Sequence, residues 1–307
     1  MANSANVVDL GSYKLEVAIR GPPRRAHNPI VVIIPDIGSS IKEWATVTRL
    51  LAESMSVVNY ERAGYGQSEP APDSGSRTAK DMAQELHTML RVAKIAPPYI
   101  MIANADGGLI LQKFLQLRNL VQFKGFVFVD ANTGQAPMIT QNTWTLSVAS
   151  PFNSLRLCYE DCHRMSDAEW KLLMEEMDRY RSGLSAELKG YGDNLDENDE
   201  IMKPTNVEQP TFGRVPLVVL HGDYTVDWGK LQAEFDRLGD NSSKDEVREV
   251  QKMKEVGVIT EENMKGLRSL SERFKFEKVD GVGQRLHVSA PEKVADAVTW
   301  ILMQYRC

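Results

Sequence analysis

Residues 97–109 read PPYIMIANADGGL, the most informative stretch of the sequence for the architecture of the chain. The segment PYIMIA (98–103) is an apolar run of strand length, which indicates a buried strand. A turn with Gly107 and Gly108 follows it, and helical spacing continues through Leu117. The stretch therefore predicts a buried strand that leads through a tight, glycine-containing turn into a helix.

The same alternation of apolar runs and helical segments extends along the chain in both directions. The run PIVVIIP (29–35) is rich in β-branched residues, which is typical of a strand buried on both faces. Further strands are predicted within 7–20 and at 56–60, 124–130, 215–223 and 273–281, and helices at 41–54, 77–95 and 291–305. This order predicts an α/β fold, a mostly parallel sheet with helices on both faces.

Residues 133–212 interrupt the alternation. The segment is rich in Met, Trp and acidic residues, and it reads as helical without a clear strand. We therefore predict an α/β core of residues 1–132 and 213–307, with 133–212 inserted as a helical lid over the strand ends where such sheets bind ligands. Trp144 is a candidate substrate-binding residue of this lid, because aromatic side chains line apolar pockets, and the alternative is that it belongs to the lid's own core.

The composition is that of an ordinary globular protein. Hydrophobic residues make up 42% and charged residues 25% of the 307 residues, and the net charge is −6. An acidic chain without an apolar run of about 18 residues favours neither nucleic acid nor a membrane as a partner. The first residues show no signal-peptide pattern, so we expect the cytoplasm, where the three cysteines remain free thiols.

We also expect neither a metal nor a cofactor. Cys158, Cys162 and His163 are close in sequence, but a metal site needs three or four ligands and no further cluster lies near them. The loop AGYGQS (63–68) lacks the strand–helix context of a dinucleotide-binding motif. The expected partner is a small hydrophobic substrate.

Four sequence strings together resemble the α/β-hydrolase superfamily, and among its members the small-molecule hydrolases common in fungi. They are NYERAGYGQSEP (59–70), PPYIMIANADGGL (97–109), FVFVDANTG (126–134) and GVGQRLHVSAPE (281–292). The resemblance covers nearly the whole chain outside 133–212. It implies an α/β-hydrolase fold with a serine nucleophile, a histidine base and an oxyanion hole, although a fold alone does not fix a function.

The nucleophile position departs from the family pattern. The family resembles P-Y-I-L-V-G-H-S-Y-G-G, with the serine in a strained turn, whereas this chain reads PYIMIANADGG. Ala105 then falls on the nucleophile, and Asp106 replaces the aromatic residue after it and brings a carboxylate to the pocket floor. A second alignment makes Asp106 the nucleophile, as in epoxide hydrolases. In a third interpretation the Asp106 side chain only caps the following helix.

The histidine position departs as well. The family loop resembles G-S-G-H-N-I-H with the first histidine as general base, and counting back from Pro291 puts Gln284 there and His287 on the second histidine. A glutamine hydrogen-bonds but does not take a proton. His287 remains a candidate base if the loop shifts, and the alternative is a packed histidine.

Carboxylates supply the remaining candidates. Asp36 follows the strand at 29–35, where the family usually carries a His-Gly pair that donates backbone N–H groups to an oxyanion. A carboxylate there suits a general base, and the alternative is a turn-forming aspartate near Gly38. Asp223, Asp227 and Asp130 are candidates for the triad acid. We predict as catalytic residues Asp36, Asp106 and His287, and as substrate-binding residues Ala105, Gln284, Asp227 and Trp144.

Three functions follow from these departures. The first is a non-hydrolytic enzyme, a lyase, dehydratase, isomerase or cyclase that uses acid–base chemistry on a small hydrophobic natural-product intermediate. The second is a serine ester or lactone hydrolase in an inactive form whose nucleophile is replaced by alanine. The third is a binding protein that uses the pocket without chemistry.

Overall fold

The computed structural model describes residues 6–72, 75–133, 151–177, 181–196, 210–238, 258 and 260–305. Eight strands form one sheet in the order β1-β2-β4-β3-β5-β6-β7-β8. The strands are β1 (Asn6–Asp9), β2 (Lys14–Arg20), β3 (Ile30–Ile34), β4 (Val57–Tyr60), β5 (Tyr99–Asn104), β6 (Phe123–Val129), β7 (Leu217–Gly222) and β8 (Phe274–Val279). The pairs β1–β2 and β2–β4 are antiparallel and the others are parallel, which confirms the predicted α/β fold.

The helices follow the strands in the predicted order. They are α1 (Ala45–Leu51), α2 (Ala79–Val92), α3 (Gly107–Gln116), α4 (Pro151–Tyr159), α5 (Asp167–Met177), α6 (Arg181–Asp196), α7 (Tyr224–Leu238), α8 (Leu286–Ser289) and α9 (Pro291–Met303). A 3₁₀ turn at Ile41–Trp44 precedes α1. Within the described residues, no helix is long and apolar enough to cross a membrane.

Alternating side chains of the buried strands fill two separate cores. Along β3, Ile30, Val32 and Ile34 pack into a core with residues of α2 and α3. Val31 and Ile33 point to the opposite face and pack with residues of α1 and α9. A strand buried on both faces needs apolar residues at every position, which explains the continuous apolar runs of the sequence.

A third apolar cluster belongs to the segment between β6 and β7. Leu155 of α4, together with Trp170 and Met177 of α5, packs there against Tyr65 and against Leu231 of α7. The described part of 133–212 therefore contains three helices, of which α4 and α5 share an apolar cluster with residues of the α/β core. Its role as a lid remains a prediction.

The six parallel strands, β3 to β8, all end at one edge of the sheet. Ile34 pairs with Ala103, and Asn104 pairs with Val129, so β3, β5 and β6 end side by side. Strands β7 and β8 end at the same edge. The carboxyl ends of parallel strands are the usual ligand-binding edge of such sheets, so the loops that follow them form the candidate site.

Candidate active site

The turn between β5 and α3 has a strained residue at its apex. Ala105 has φ +43°, in the left-handed region that residues with a Cβ rarely adopt. Its amide donates to the Val129 carbonyl at 3.1 Å, and its carbonyl accepts the Gly108 amide at 2.9 Å. Asp106, with φ −68°, already has helical geometry. The residue held out of the strand is therefore Ala105, which corrects the alignment that places Asp106 at this position.

The two glycines after the apex let α3 approach the neighbouring loops. A Cβ on Gly107 would lie 2.4 Å from the Ile34 carbonyl oxygen, and one on Gly108 would lie 2.2 Å from the Asn132 carbonyl oxygen. Both distances are far below contact, so any side chain there would push the helix away from the strand ends. The glycine pair thus fixes the position of the turn.

Asp36 directs its carboxylate to this turn. One oxygen, Oδ1, accepts the backbone N–H of Ile37 at 2.8 Å and that of Asp106 at 3.0 Å. The second contact puts a carboxylate at the N-terminus of α3, where the helix dipole favours negative charge. Burial nevertheless raises the pKa of Asp36, and the charge of Arg285 opposes this rise. Asp36 is therefore more than a local turn residue, because its side chain also accepts a hydrogen bond from a residue on another loop.

Asp106 adds a second carboxyl group to the same place. One of its oxygens accepts the Asn132 side-chain amide at 2.7 Å. The side chain makes no capping bond to α3, so the capping interpretation is wrong. Burial and the neighbouring charge of Asp36 raise the pKa of Asp106 to about 7. Two carboxyls this close do not both ionise readily, and the pair holds a proton near neutral pH.

Gln284 and Asp227 meet on the adjacent loops. Asp227 Oδ2 accepts the Gln284 backbone N–H at 2.8 Å and the Tyr159 hydroxyl at 2.7 Å. The other oxygen, Oδ1, has no hydrogen-bond partner within the described part of the chain. A Cβ on Gly283 would lie 2.0 Å from this Oδ1, so the loop passes directly over the carboxylate. Burial raises the pKa of Asp227.

Tyr224 is a site residue that the sequence reasoning missed. Its hydroxyl is hydrogen-bonded to the Gln284 side chain. Burial, followed by the charge of Asp130 and then the charges of Asp36 and Asp106, raises the pKa of Tyr224 well above its ordinary value. The hydroxyl therefore stays protonated, which leaves it able to donate a hydrogen bond. Its only sequence signal is its position two residues after the carboxyl end of β7.

His287 packs on Trp44 and lies within 3.4 Å of Glu43. The ring is fully buried and stacks on Trp44 with the ring centroids 4.1 Å apart. Nε2 lies 3.4 Å from Glu43 Oε2, and Nδ1 has no partner among the described residues. Burial lowers the pKa of His287. This position favours the alternative of a packed histidine, and its catalytic role remains a prediction.

The other two candidate acids, Asp130 and Asp223, are hydrogen-bonded to other residues. Asp130 bonds His221 Nδ1 at 2.6 Å and accepts the Gly222 N–H at 3.0 Å, and both side chains are buried. Asp223 accepts the backbone N–H and the hydroxyl of Thr225, which makes it a turn residue.

Trp144 lies outside the described residues. In the part of the chain that the structure describes, no group of three or more His, Cys, Asp or Glu side chains could hold a metal ion.

Comparison with known proteins identifies the architecture. A solved serine hydrolase involved in carbazole degradation superposes with a TM-score of 0.65 at 15% identity, over 98% of this chain and 99% of that one. The chain has the α/β-hydrolase fold. A protein of Gibberella zeae described as an AB hydrolase superfamily protein is 28% identical over 243 residues, 74% of this chain and 73% of its own length. No protein-family model matches.

A longer fungal protein is also similar. The Hormonema carpetanum protein efuK, named as a transporter, is 25% identical over 306 residues, which are 97% of this chain. The chain spans only 43% of the length of that relative. The name of efuK therefore describes a protein of more than twice the matched length.

In α/β-hydrolases the turn after β5 and the loop after β3 supply the backbone N–H groups of the oxyanion hole. In this chain the equivalent donors are the N–H groups of Asp106 and Ile37, and both are bonded to Asp36 Oδ1. The next amide of the same loop, Gly38, donates to Glu187 Oε2 at 3.3 Å. Carboxylates of the protein itself thus accept the N–H groups of both the turn and the loop.

Proposed function

We propose that this α/β-hydrolase-fold chain is a non-hydrolytic enzyme that moves protons on a small hydrophobic substrate. The observation that carries the proposal is the bond from the Asp106 N–H to the Asp36 carboxylate, beside the methyl group of Ala105. A site with two carboxyls and no nucleophile at the strained turn is suited to acid–base chemistry. The reaction classes that fit are elimination, isomerisation and cyclisation.

The same features argue against acyl transfer. An alanine side chain at the apex cannot attack a carbonyl, and Gln284 cannot take a proton from a nucleophile. A carboxylate at the oxyanion position would repel the negative charge that forms there, whereas hydrolysis needs donors. Three separate parts of a hydrolytic mechanism are therefore replaced by groups of other chemistry.

The two carboxyls take different roles. Asp36 accepts two backbone N–H groups and faces the charge of Arg285, so it is the member that ionises first and acts as the base. Asp106 keeps its proton to about pH 7, its raised pKa, and acts as the acid. In an elimination, Asp36 takes a proton from carbon, the electron pair forms the double bond, and Asp106 protonates the departing oxygen, so that water leaves. The proton then passes from Asp36 to Asp106.

Tyr224 and the segment 133–212 complete the proposal. The Tyr224 hydroxyl remains protonated and can donate to a substrate oxygen beside the carboxyl pair. Ala105, Asp36, Asp106, Tyr224 and Gln284 all keep partial exposure, so a ligand can reach them. The helices of 133–212 would cover this opening and determine which substrate enters.

The proposal is tested with a base-promoted elimination, the ring opening of nitrobenzisoxazole, whose product is a coloured cyano-nitrophenolate. Removal of one proton by a half-buried carboxylate is enough for this reaction. We expect turnover above background, a loss of about a hundredfold in Asp36→Asn, and an inflection near pH 7 that Asp106→Asn removes. Asp223→Asn is the matched control, because that carboxylate lies at the same edge but belongs to a turn.

Two outcomes would overturn the proposal. Saturable binding of the probe without elimination would indicate a binding protein. Equal rates in wild type, Asp36→Asn and Asp223→Asn would remove Asp36 from the mechanism.

A further inference from the structure

A buried ion pair joins the segment between β6 and β7 to the loop that carries Asp36. Arg62 Nε lies 2.7 Å from Glu187 Oε1, and Arg62 Nη2 lies 3.0 Å from Glu187 Oε2. The two side chains are 1% and 0% exposed. Arg62 follows β4, whereas Glu187 comes from α6, so the pair connects two distant parts of the chain. Two charges without access to water persist only when every remaining hydrogen-bonding group is also satisfied.

The groups that satisfy this pair flank Asp36. Arg62 Nη1 donates to the Pro35 carbonyl at 3.0 Å, and Nη2 donates to the Asp36 carbonyl at 2.7 Å. On the other side of Asp36, the Gly38 N–H donates to Glu187 Oε2 at 3.3 Å. The Tyr65 hydroxyl also donates to Glu187 Oε2, at 2.6 Å. The backbone of 35–38 is thus held on both sides by one arginine and one glutamate.

We propose that Glu187, acting through Arg62, is a positioning residue that sets the place of the Asp36 carboxylate against the N–H of Asp106. The inference rests on the proposed function, since it gives α6 a part in building the acid–base site. Glu187 reaches Asp36 through hydrogen bonds to Arg62 and to the Gly38 N–H, which hold the backbone of 35–38. After burial and the charge of Asp36, the charge of Glu187 also raises the pKa of Asp106, so the test of positioning reads the geometry of the two amides. The site is complete only when α6 is docked on the core.

The chain contains a matched pair for comparison. Arg77 Nη2 lies 2.7 Å from Glu85 Oε2, and these side chains are 4% and 0% exposed. Arg77 also donates to the Ala63 carbonyl at 3.3 Å, and the side-chain hydrogen bonds of this pair go to Tyr13 and Ala63 rather than to residues 35–38. Replacing either pair by two methionines removes one buried ion pair of similar size. General destabilisation is therefore common to both double variants, and an effect at Asp36 is not.

The readout is amide hydrogen exchange at Asp106 and Ile37, the two N–H groups that Asp36 accepts. We expect exchange at both to be at least tenfold faster in Arg62→Met/Glu187→Met than in Arg77→Met/Glu85→Met. For the elimination of nitrobenzisoxazole, kcat should fall in the first double variant while KM is retained. Glu187→Gln, which keeps the shape of the side chain, provides a milder second variant and should speed exchange at the same two amides.

Equal exchange at Asp106 and Ile37 in the two double variants would overturn the inference. Equal exchange rates at these two amides in Glu187→Gln and in wild type would also overturn it. Amide exchange reports geometry and requires no turnover. If wild type fails to catalyse the elimination but the variants show the expected differences in exchange at Asp106 and Ile37, the result counts against the proposed function alone.

Discussion

Asp36 Oδ1 lies 3.0 Å from the backbone nitrogen of Asp106, although the two residues are 70 positions apart in sequence. The contact links the loop after β3 to the N-terminus of α3. A hydrolase of this fold needs hydrogen-bond donors at this place, because negative charge develops there during the reaction. The Asp36 carboxylate instead brings negative charge of its own. In the proposed acid–base function, this bond is what distinguishes the site from a serine-hydrolase site in which only the nucleophile is missing.

A first prediction concerns rebuilding the hydrolase. Ala105→Ser/Gln284→His supplies a nucleophile and a base, and the backbone N–H of residue 284 is already bonded to the Asp227 carboxylate. Adding Asp36→Ala frees the N–H groups of Ile37 and Asp106. We expect a fluorophosphonate probe to label the triple variant about a hundredfold faster than the double variant. Equal labelling rates would show that Asp36 does not obstruct the oxyanion position.

A second prediction concerns Tyr224. Tyr224→Phe removes a protonated hydroxyl that is bonded to Gln284 and faces the carboxyl pair. Elimination of nitrobenzisoxazole should slow by about tenfold in kcat, because one donor to the developing phenolate is lost. Tyr305→Phe, near the C-terminal end of α9, is the control and should leave kcat unchanged. An unchanged kcat in Tyr224→Phe would place this hydroxyl outside the chemistry.

A third prediction concerns stability and pH. Glu61 is 2% exposed, and burial raises its pKa to about 7, although the Ser40 hydroxyl donates to it at 2.5 Å. The folded state holds this proton to about pH 7, whereas the unfolded chain releases it near its ordinary value of 4.5. Its contribution to stability is therefore present below about pH 4.5 and is lost as the pH rises towards 7.

Glu61→Gln should remove this part of the pH dependence. Between about pH 5 and pH 8 the free energy of unfolding should fall less in the variant than in wild type, by up to about 3 kcal/mol. Urea denaturation at both pH values measures the difference. Glu69→Gln, on the same loop but exposed, is the control. If the free energy of unfolding of Glu61→Gln falls with pH as steeply as that of wild type, Glu61 ionises at an ordinary pH.

A fourth prediction concerns the docking of α6. A Cβ on Gly190 would lie 2.1 Å from the Arg77 carbonyl oxygen, whereas a Cβ on Gly229 of α7 would meet nothing within 4 Å. Gly190→Ala should destabilise the protein by about 1–3 kcal/mol, since a backbone atom cannot move aside. Gly229→Ala should be neutral or stabilise it by up to about 1 kcal/mol. An unchanged free energy of unfolding in Gly190→Ala would contradict close packing of α6 on the core.

The buried strands were predictable because both of their faces are covered. Residues 30–34 are apolar at every position since alternate side chains fill two different cores, and this pattern is visible in the sequence. The glycine pair at 107–108 likewise marks the tight turn. Of the site, the sequence reasoning named Asp36, Ala105, Asp106, Gln284 and Asp227, and all five lie at the carboxyl edge of the sheet.

The bonding between these residues was not predictable. Asp36 meets Asp106 across 70 positions and Arg62 meets Glu187 across 125, and no local pattern records which distant loop a carboxylate will contact. Tyr224 was missed because a single tyrosine after a strand has no distinguishing spacing. His287 was named because the family loop carries a histidine there, whereas its ring packs on Trp44.

The most direct test is covalent labelling of Ala105→Ser with a fluorophosphonate probe, in a variant shown to be folded. With Asp36 bonded to the Asp106 N–H and Gln284 in place of a base, the serine should remain unlabelled. Labelling at position 105 would show that a working base and oxyanion hole survive, and it would contradict the acid–base account.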